Sequence, residues 1–212
     1  MMNKDKVIIF DFDGTLADTM LLGWEISNRL SHKFGYREVK REELADFRGK
    51  STQDVIKGVG ISLIKLPLVA QQFKKELNKE ILNLKLFNDI DVMIKTLYET
   101  KYILGILTSN SRGNVNKFLE NHDLEEFFEF VHSGNNIFGK HTSIRNILKK
   151  HNLRDKEVIL VGDETRDIEA ARKCKLKIIS VTWGFHLKEI LEKYQPDFLV
   201  DEPLDIIKVL ED

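Results

Sequence analysis

Residues 7–19 constrain the fold of this chain more than any other stretch, because an apolar run there ends abruptly in acidic residues. The four apolar residues 7–10 are too few for a helix and suit a strand that is buried on both faces. Asp11 and Asp13 follow, and Gly14 then releases the backbone from strand geometry. In an open parallel sheet, ligands bind beyond the carboxyl ends of the strands. The stretch therefore predicts an acidic site at the end of a buried strand.

Two carboxylates at this spacing repel each other unless a cation lies between them or one of them holds a proton. A hard divalent cation such as Mg²⁺ is the usual partner of oxygen ligands. The alternative is a polar turn in which Asp and Gly serve only to end the strand. The four residues Asp-Phe-Asp-Gly do not decide between these interpretations by themselves.

The composition favours a small partner. The chain has 212 residues, enough for one core domain and a smaller insert. Its 33 Lys and Arg nearly balance 34 Asp and Glu, so neither a nucleic acid nor a membrane surface is expected as a partner. The single cysteine, Cys174, excludes an intrachain disulfide, and no apolar stretch approaches the length of a membrane span, so a cytoplasmic location is expected.

The order of helical and strand patterns predicts two domains. Apolar residues at four-residue steps predict a helix that ends at Gly35, and no strand pattern appears in residues 36–87. Helices are predicted there at 42–47, 51–57 and 68–84. This insert is too long for an ordinary connection. We expect residues 20–87 to form a small helical cap domain, and residues 1–19 and 88–212 to form the core domain.

Strands and helices alternate through the rest of the chain, which is typical of a parallel sheet with helices on both faces. The fold class expected is α/β, a doubly wound parallel sheet of Rossmann-like type with the helical cap inserted after the first strand. The later strands are predicted at 102–107, near 130–132, and at 158–161, 177–181 and 198–200.

Polar residues that could do chemistry lie at the carboxyl ends of three predicted strands. Thr108 ends the second strand, and Gly162-Asp163 ends a later one, with Asp167 expected to start the following helix. Because a parallel sheet gathers these ends at one edge, residues about 150 positions apart become neighbours. Lys140 opens a helix between them.

With these residues the chain resembles the haloacid dehalogenase superfamily of phosphotransferases, in the helical-cap subfamily that includes phosphoglycolate phosphatases and β-phosphoglucomutase. The likeness covers essentially the whole chain. Residues 11–15 match the first motif of that family, Thr108 the second, Lys140 the third, and Gly162-Asp163 with Asp167 the fourth. The first and fourth motifs, in this order around a helical insert, are specific, whereas the second and third are weak individually.

The resemblance implies a role for each motif residue. Asp11 would be the nucleophile that forms an aspartyl phosphate, and Asp13 the general acid and base. Mg²⁺ would bind the Asp11 carboxylate, the Asp13 backbone carbonyl and Asp163, with Asp167 holding the metal's water ligands. Thr108 would donate a hydrogen bond to the phosphoryl group, and Lys140 would offset its charge. The implied substrate is a small phosphorylated metabolite, and the oligomeric state is left open.

Further residues are assigned to substrate binding as hypotheses. Ser109 and Asn110 follow Thr108, and in the cap Arg48 and Lys50 could hold a distal anionic group. The alternative for the two cap residues is a solvated basic turn.

Two positions depart from the family pattern. His141 stands where the third motif commonly has proline, which leaves the loop geometry around Lys140 open. Lys175 stands where a glycine often ends the helix, which concerns stability rather than chemistry.

Three alternatives to a Mg²⁺-dependent phosphatase stay open at the level of the sequence. A phosphosugar mutase would use the same aspartyl phosphate but release little phosphate. Haloacid dehalogenation is disfavoured, because those relatives work without the metal and lack acids at the positions of Asp13 and Asp163. A third alternative, from a different class, is a non-catalytic module that only accepts a phosphoryl group.

Overall fold

The computed structural model describes residues 6–50, 52–134 and 139–211. Within these residues the chain forms a six-stranded parallel sheet with helices on both faces, so the predicted doubly wound α/β fold is confirmed. The order across the sheet is β3-β2-β1-β4-β5-β6. The strands are β1 (Lys6–Phe10), β2 (Ile103–Thr108), β3 (Phe128–Ser133), β4 (Glu157–Gly162), β5 (Lys177–Val181) and β6 (Phe198–Val200).

The α-helices of the described residues agree with the predicted ones to within a few residues at their ends. They are α1 (Met20–Phe34), α2 (Leu44–Arg48), α3 (Thr52–Val59), α4 (Leu66–Glu80), α5 (Ile90–Glu99), α6 (Arg112–Asn121), α7 (Lys140–Lys150), α8 (Thr165–Cys174), α9 (Lys188–Lys193) and α10 (Asp205–Glu211). Ser51, where one predicted helix begins, lies outside the described residues. None of the helices in the described ranges is both long and apolar enough to cross a bilayer.

Strand β1 lies at the centre of the sheet, and its side chains alternate between two apolar clusters. Ile8 and Phe10 point into one cluster, which α5, α6 and α10 cover. Val7 and Ile9 point into the other, which α7, α8 and α9 cover. This period of two on a doubly buried strand explains why residues 7–10 are all apolar.

The chain order makes the carboxyl end of β1 a natural binding crevice. After β1 the chain builds β2 and β3 on one side, and it then returns to place β4 on the other side of β1. Crevices of open α/β sheets lie at such reversals. The crevice here is flanked by the ends of β1 and β4.

Residues 20–87, which we call the inserted segment, contain helices but no strand among their described residues. Helices α1 and α4 pack onto the cluster that covers one face of the sheet, through Ile26, Leu30 and Leu77. The outer part of the segment has a small apolar cluster of its own. Its buried members are Val39, Phe47 and Val59.

The chain enters and leaves the inserted segment through two adjacent stretches of backbone, since the Asp18 N–H donates to the Lys85 carbonyl at 2.9 Å. The division into a core and a cap domain stays a prediction.

Two helix ends show how the sequence sets local geometry. Helix α1 ends at Gly35 (φ 72°), as predicted, and α8 ends at Lys175, which adopts the same left-handed conformation (φ 57°) without being glycine. The prediction that α8 starts at Asp167 is wrong. The helix starts at Thr165, because the Asp167 carboxylate reaches back to the Glu164 N–H and caps the first turn.

Candidate active site

The tip of β1 holds Asp11 in a fixed position. Its carboxylate is 4% exposed, and Oδ1 accepts a hydrogen bond from the Phe12 N–H at 2.8 Å. The turn that follows requires glycine, because Gly14 has φ 80° and a Cβ there would lie 2.3 Å from Oδ2 of Asp163. The glycine thus permits the ends of β1 and β4 to approach closely.

The end of β4 places Asp163 beside Asp11. Asp163 is fully buried, and its two oxygens accept from the Thr15 hydroxyl (2.8 Å) and from the Phe185 N–H (2.7 Å). One turn later, Asp167 lies against Gly162, where a Cβ would meet Asp167 Oδ2 at 2.4 Å. Both aspartates are therefore oriented by hydrogen bonds or packing before any ligand binds.

Lys140, the first residue of α7, joins two of the acids. Its Nζ lies 2.8 Å from Asp11 Oδ2 and 2.6 Å from Asp167 Oδ1, and its side chain is 16% exposed. Burial alone would lower the pKa of Lys140, but the charges of Asp11 and Asp167 outweigh it and raise that pKa. Lys140 is therefore a permanent cation at the site.

One lysine does not balance the acids around it. Burial, with the neighbouring acids adding to it, raises the pKa of Asp11 and raises that of Asp163 well above its usual value. Burial would also raise the pKa of Asp167, yet Lys140 and Arg166 hold it below the usual range. Buried carboxylates with raised pKa values mark a place where a further cation would be stabilising.

The donor geometry fits a divalent cation. Carboxylate oxygens of Asp11, Asp163 and Asp167 all lie within 4.8 Å of one another. Oxygen donors of this kind suit a hard cation such as Mg²⁺. Both oxygens of Asp167 already accept hydrogen bonds, from Lys140 and from the Glu164 N–H. Both oxygens of Asp11 and of Asp163 are engaged as well, so these contacts do not separate direct ligands from supporting residues. The assignment of Asp11 and Asp163 as direct ligands, with Asp167 in support, stays a prediction.

Asp13 has a different environment from the three clustered acids. It is partly exposed, and its carboxylate faces the Asn110 amide (3.4 Å) and the Thr108 hydroxyl (3.5 Å). Burial, together with the charge of Asp11, raises the pKa of Asp13 to about 7. A carboxyl group with that pKa can both give and take a proton near neutral pH.

The end of β2 supplies the opposite wall. Thr108 and Asn110 are buried, and the Thr108 hydroxyl accepts from the Asn110 N–H at 2.9 Å. A recess opens beside them at the carboxyl edge of the sheet. Its lining includes Asp11, Thr108, Ser109, Lys140, Ser143 and Arg166. The structure thus brings Asp11, Asp13, Thr108, Ser109, Asn110, Lys140, Asp163 and Asp167 together, as the sequence predicted.

The two cationic residues of the inserted segment lie apart from that recess. Arg48 donates from Nε to the Phe185 carbonyl (3.0 Å) and from Nη2 to the Gly184 carbonyl (2.8 Å). Lys50 is exposed, with its Nζ 5.1 Å from the centre of the Phe47 ring. Neither of them is among the residues that line the recess. Their assignment to substrate binding stays a prediction.

Sequence reasoning missed several residues of the site. Thr15 was included in a motif without a role, yet its hydroxyl binds Asp163. Arg166 lines the recess and forms an ion pair with Glu164. Its position immediately before Asp167, a motif residue, is the feature of the sequence that could have identified it. Phe185 contributes its backbone N–H, and the identity of its side chain does not reveal that contact.

Comparisons with known proteins agree with this geometry. A family model described as haloacid dehalogenase-like hydrolase matches residues 8–181. The curated phosphoglycolate phosphatase of Synechococcus elongatus is 33% identical, covering 97% of this chain and 97% of that protein. Pyrophosphatase PpaX of Bacillus thuringiensis is 26% identical, covering 99% of this chain and 98% of that protein. A solved structure of a predicted phosphatase from Clostridium acetobutylicum has a TM-score of 0.84 at 22% identity, covering 98% and 99% of the two chains, and this likeness shows the fold alone.

Proposed function

We infer that this chain, which belongs to the haloacid dehalogenase-like hydrolase family, is a Mg²⁺-dependent phosphatase that hydrolyses a small phosphomonoester through an aspartyl phosphate. The observation that carries the proposal is the buried contact of Asp11 with Lys140, beside an acid cluster that fits a divalent cation. Phosphoryl transfer depends mostly on positioning and on stabilising charge, and this site offers both.

Asp11 acts as the nucleophile. One of its carboxylate oxygens attacks phosphorus, and the bond from phosphorus to the ester oxygen breaks. Asp13 gives its proton to that leaving oxygen, and its pKa of about 7 suits the transfer. In the second step a water attacks phosphorus, Asp13 takes the proton of that water, and the bond between phosphorus and Asp11 breaks. Free phosphate and unchanged enzyme result.

The remaining residues bind and orient. Lys140 and the Thr108 hydroxyl stabilise the phosphoryl oxygens, with Ser109 and Asn110 at the same wall. Asp11, the Asp13 carbonyl and Asp163 would hold Mg²⁺, supported by Asp167. When bound, the ion offsets the negative charge that accumulates on the phosphoryl oxygens.

We also propose that the inserted segment is the cap that limits access to the site. It joins the core through two adjacent crossings, and Arg48 contacts the loop after β5. A cap that closes over the recess excludes bulk water, leaves room for the one water that reacts, and restricts the substrate to a small molecule. A cytoplasmic location, and the lack of nucleic-acid and membrane partners, are part of the same proposal.

The names of the relatives indicate two substrates to assay first, 2-phosphoglycolate and pyrophosphate. The monoester is favoured, because the relative that carries that name is the more similar of the two.

The decisive experiment measures phosphate release from a generic aryl phosphate, with and without Mg²⁺. We expect turnover that a chelator abolishes and Mg²⁺ restores, and Asp11→Asn should lower kcat by roughly 10³-fold or more. Asp155→Asn is the matched control, because Asp155 is exposed and lies two residues before the amino end of β4, at the opposite edge of the sheet. It should retain full activity.

Other outcomes would point to the alternatives. Full activity of Asp11→Asn would contradict the mechanism. Transfer between positions of a sugar phosphate with little phosphate release would indicate a mutase. A long-lived phosphorylated Asp11 without turnover, found by mass spectrometry after acid quench, would indicate a module that only accepts the phosphoryl group.

A further inference from the structure

We propose that Arg48 is a positioning residue for Asp163, and that it acts through the single peptide group between Gly184 and Phe185. The proposal rests on the proposed function, in which Asp163 binds the metal ion. It differs from the assignment of Arg48 to a distal group of the substrate, because here Arg48 touches neither substrate nor metal.

The peptide group lies between a cation and an anion. Its carbonyl, that of Gly184, accepts from Arg48 Nη2 at 2.8 Å, and its N–H, that of Phe185, donates to Asp163 Oδ2 at 2.7 Å. A hydrogen bond to a charged group polarises the peptide and strengthens the bond at its other end. Arg48 therefore favours the orientation in which the N–H points at Asp163.

A second bond from Arg48 fixes the next peptide as well. Nε donates to the Phe185 carbonyl at 3.0 Å, so two donors of one planar guanidinium hold two successive carbonyl oxygens. An ammonium group has no such planar pair of donors. The geometry is specific for arginine.

The backbone can lie this close to Asp163 only because residue 184 is glycine. A Cβ at Gly184 would lie 2.3 Å from the Asp163 Cβ and 2.4 Å from the Gly14 carbonyl oxygen. The loop is thus packed directly against the turn after β1 and the end of β4. A small rotation of its peptide would therefore displace Gly14 or Asp163.

The inserted segment holds the same loop at two further points. The Leu187 N–H donates to the Arg48 carbonyl at 3.1 Å. His186 is fully buried, and its Nδ1 accepts from the Thr165 N–H at 2.9 Å, so Nε2 carries the proton and donates to the Lys50 carbonyl at 2.8 Å. The position of the inserted segment is thereby connected to the orientation of Asp163.

Removal of the guanidinium should weaken cation binding without removing a ligand. The Thr15 hydroxyl would still hold Asp163 Oδ1, but the peptide that orients Oδ2 would lose the donor that fixes its carbonyl. Changes to residues that orient metal ligands cost about 10- to 100-fold in metal affinity, and we expect roughly tenfold here, because Arg48 acts one bond further away.

The test is a titration of the whole 212-residue chain with Mn²⁺, monitored by electron paramagnetic resonance in the absence of substrate. Arg48→Gln should bind Mn²⁺ roughly tenfold more weakly than wild type, and Arg48→Lys should lie in between, because one ammonium can reach one carbonyl. Arg37→Gln is the matched control, since Arg37 lies in the same segment and pairs with Glu43 there. It should bind Mn²⁺ like wild type.

The outcomes separate this inference from the proposed function. Unchanged Mn²⁺ affinity in Arg48→Gln, with or without a raised KM, would overturn the positioning role. An equal loss in Arg37→Gln would also overturn it. If Arg48→Gln does not fold by circular dichroism, Arg48→Lys decides, and wild-type affinity in that variant would overturn the inference. Wild-type protein that binds no Mn²⁺ would instead refute the metal site of the proposed function.

Discussion

The carboxyl edge of the sheet and the outer part of the inserted segment are stabilised in different ways. At the edge, buried acids surround one lysine and lie between two large apolar clusters. In the outer part of the segment the buried apolar residues are few, and charged side chains such as Arg37 and Lys50 lie over the Phe47 ring. The loop at residues 61–65 even carries Leu63 and Ile64 at 77% and 92% exposure.

The difference indicates which of the two regions suits a rigid site and which suits a surface that changes conformation. Charges in a packed interior are held in one arrangement and cannot relax when a partner is lost. A small cluster with a polar surround opens and repacks at lower cost. The chemistry that we propose, which needs a fixed geometry, therefore suits the edge of the sheet, and the proposed selection of the substrate suits the segment that can adapt.

Among the variants that test this comparison, the largest effect is expected from Lys140→Met, which removes the lysine charge at nearly constant side-chain volume. Asp11 and Asp167 then lose their contact with the ammonium group, and in the proposed mechanism the phosphoryl oxygens lose a stabilising charge. We expect kcat to fall by about 10²- to 10³-fold. Lys149→Met, an exposed change on the same helix, is the control and should leave kcat unchanged. A fall in kcat of less than fivefold in Lys140→Met would show that the charge of Lys140 does not stabilise the phosphoryl group.

The same variant makes a prediction about pH. In wild type the lowered pKa of Asp167 contributes stability that is present above its unfolded pKa and is lost as pH falls. Without Lys140 that contribution shrinks, because Arg166 and the Glu164 N–H then oppose the effect of burial on the pKa of Asp167 without its help. The variant should thus be most destabilised at about pH 8, and the gap to wild type should narrow towards about pH 5. Urea unfolding at several pH values measures this, and a constant gap would contradict the charge assignment.

An intermediate effect should distinguish the two apolar environments. Phe118, fully buried and in edge-to-face contact with Phe12 at 5.0 Å, belongs to the large cluster, whereas Phe47 belongs to the small one. Phe118→Ala should cost about 3–5 kcal/mol of unfolding free energy, and Phe47→Ala about 2 kcal/mol, because the smaller cluster can collapse around the gap. Urea unfolding measures both losses of unfolding free energy. Equal losses in the two variants would show that the two apolar clusters are packed equally well.

The sequence predicted the carboxyl edge well, for physical reasons. A strand buried on both faces is apolar throughout, so residues 7–10 and 158–161 were recognisable, and the acids that end them had to meet at one edge. Lys140 has no such signature, since a lone lysine at the start of a helix is usually solvated. It was found only through the resemblance to a family.

The contacts between the inserted segment and the core were not predictable in the same way. Periodicity reports which face of an element is buried and does not report which loops meet. Arg48 and Gly184 lie 136 positions apart, and Arg48 binds there to backbone carbonyls. Every residue carries a carbonyl and nearly every residue an N–H, so no residue type marks the Gly184–Phe185 peptide as a partner. The hypothesis of a substrate contact for Arg48 stays a prediction, and the sequence offered no sign of its contact with this peptide.

The smallest effect is expected at Ile64, on the loop before α4. Its side chain is 92% exposed, so Ile64→Ser should change the unfolding free energy by no more than about 0.5 kcal/mol. If the melting temperature is the same at low and high protein concentration, for wild type and variant alike, Ile64 is not covered by a second copy of the chain. If wild type melts higher at high concentration and Ile64→Ser does not, Ile64 is buried between two copies. The outer part of the inserted segment would then owe part of its stability to association, and its contrast with the sheet edge would hold only for the monomer.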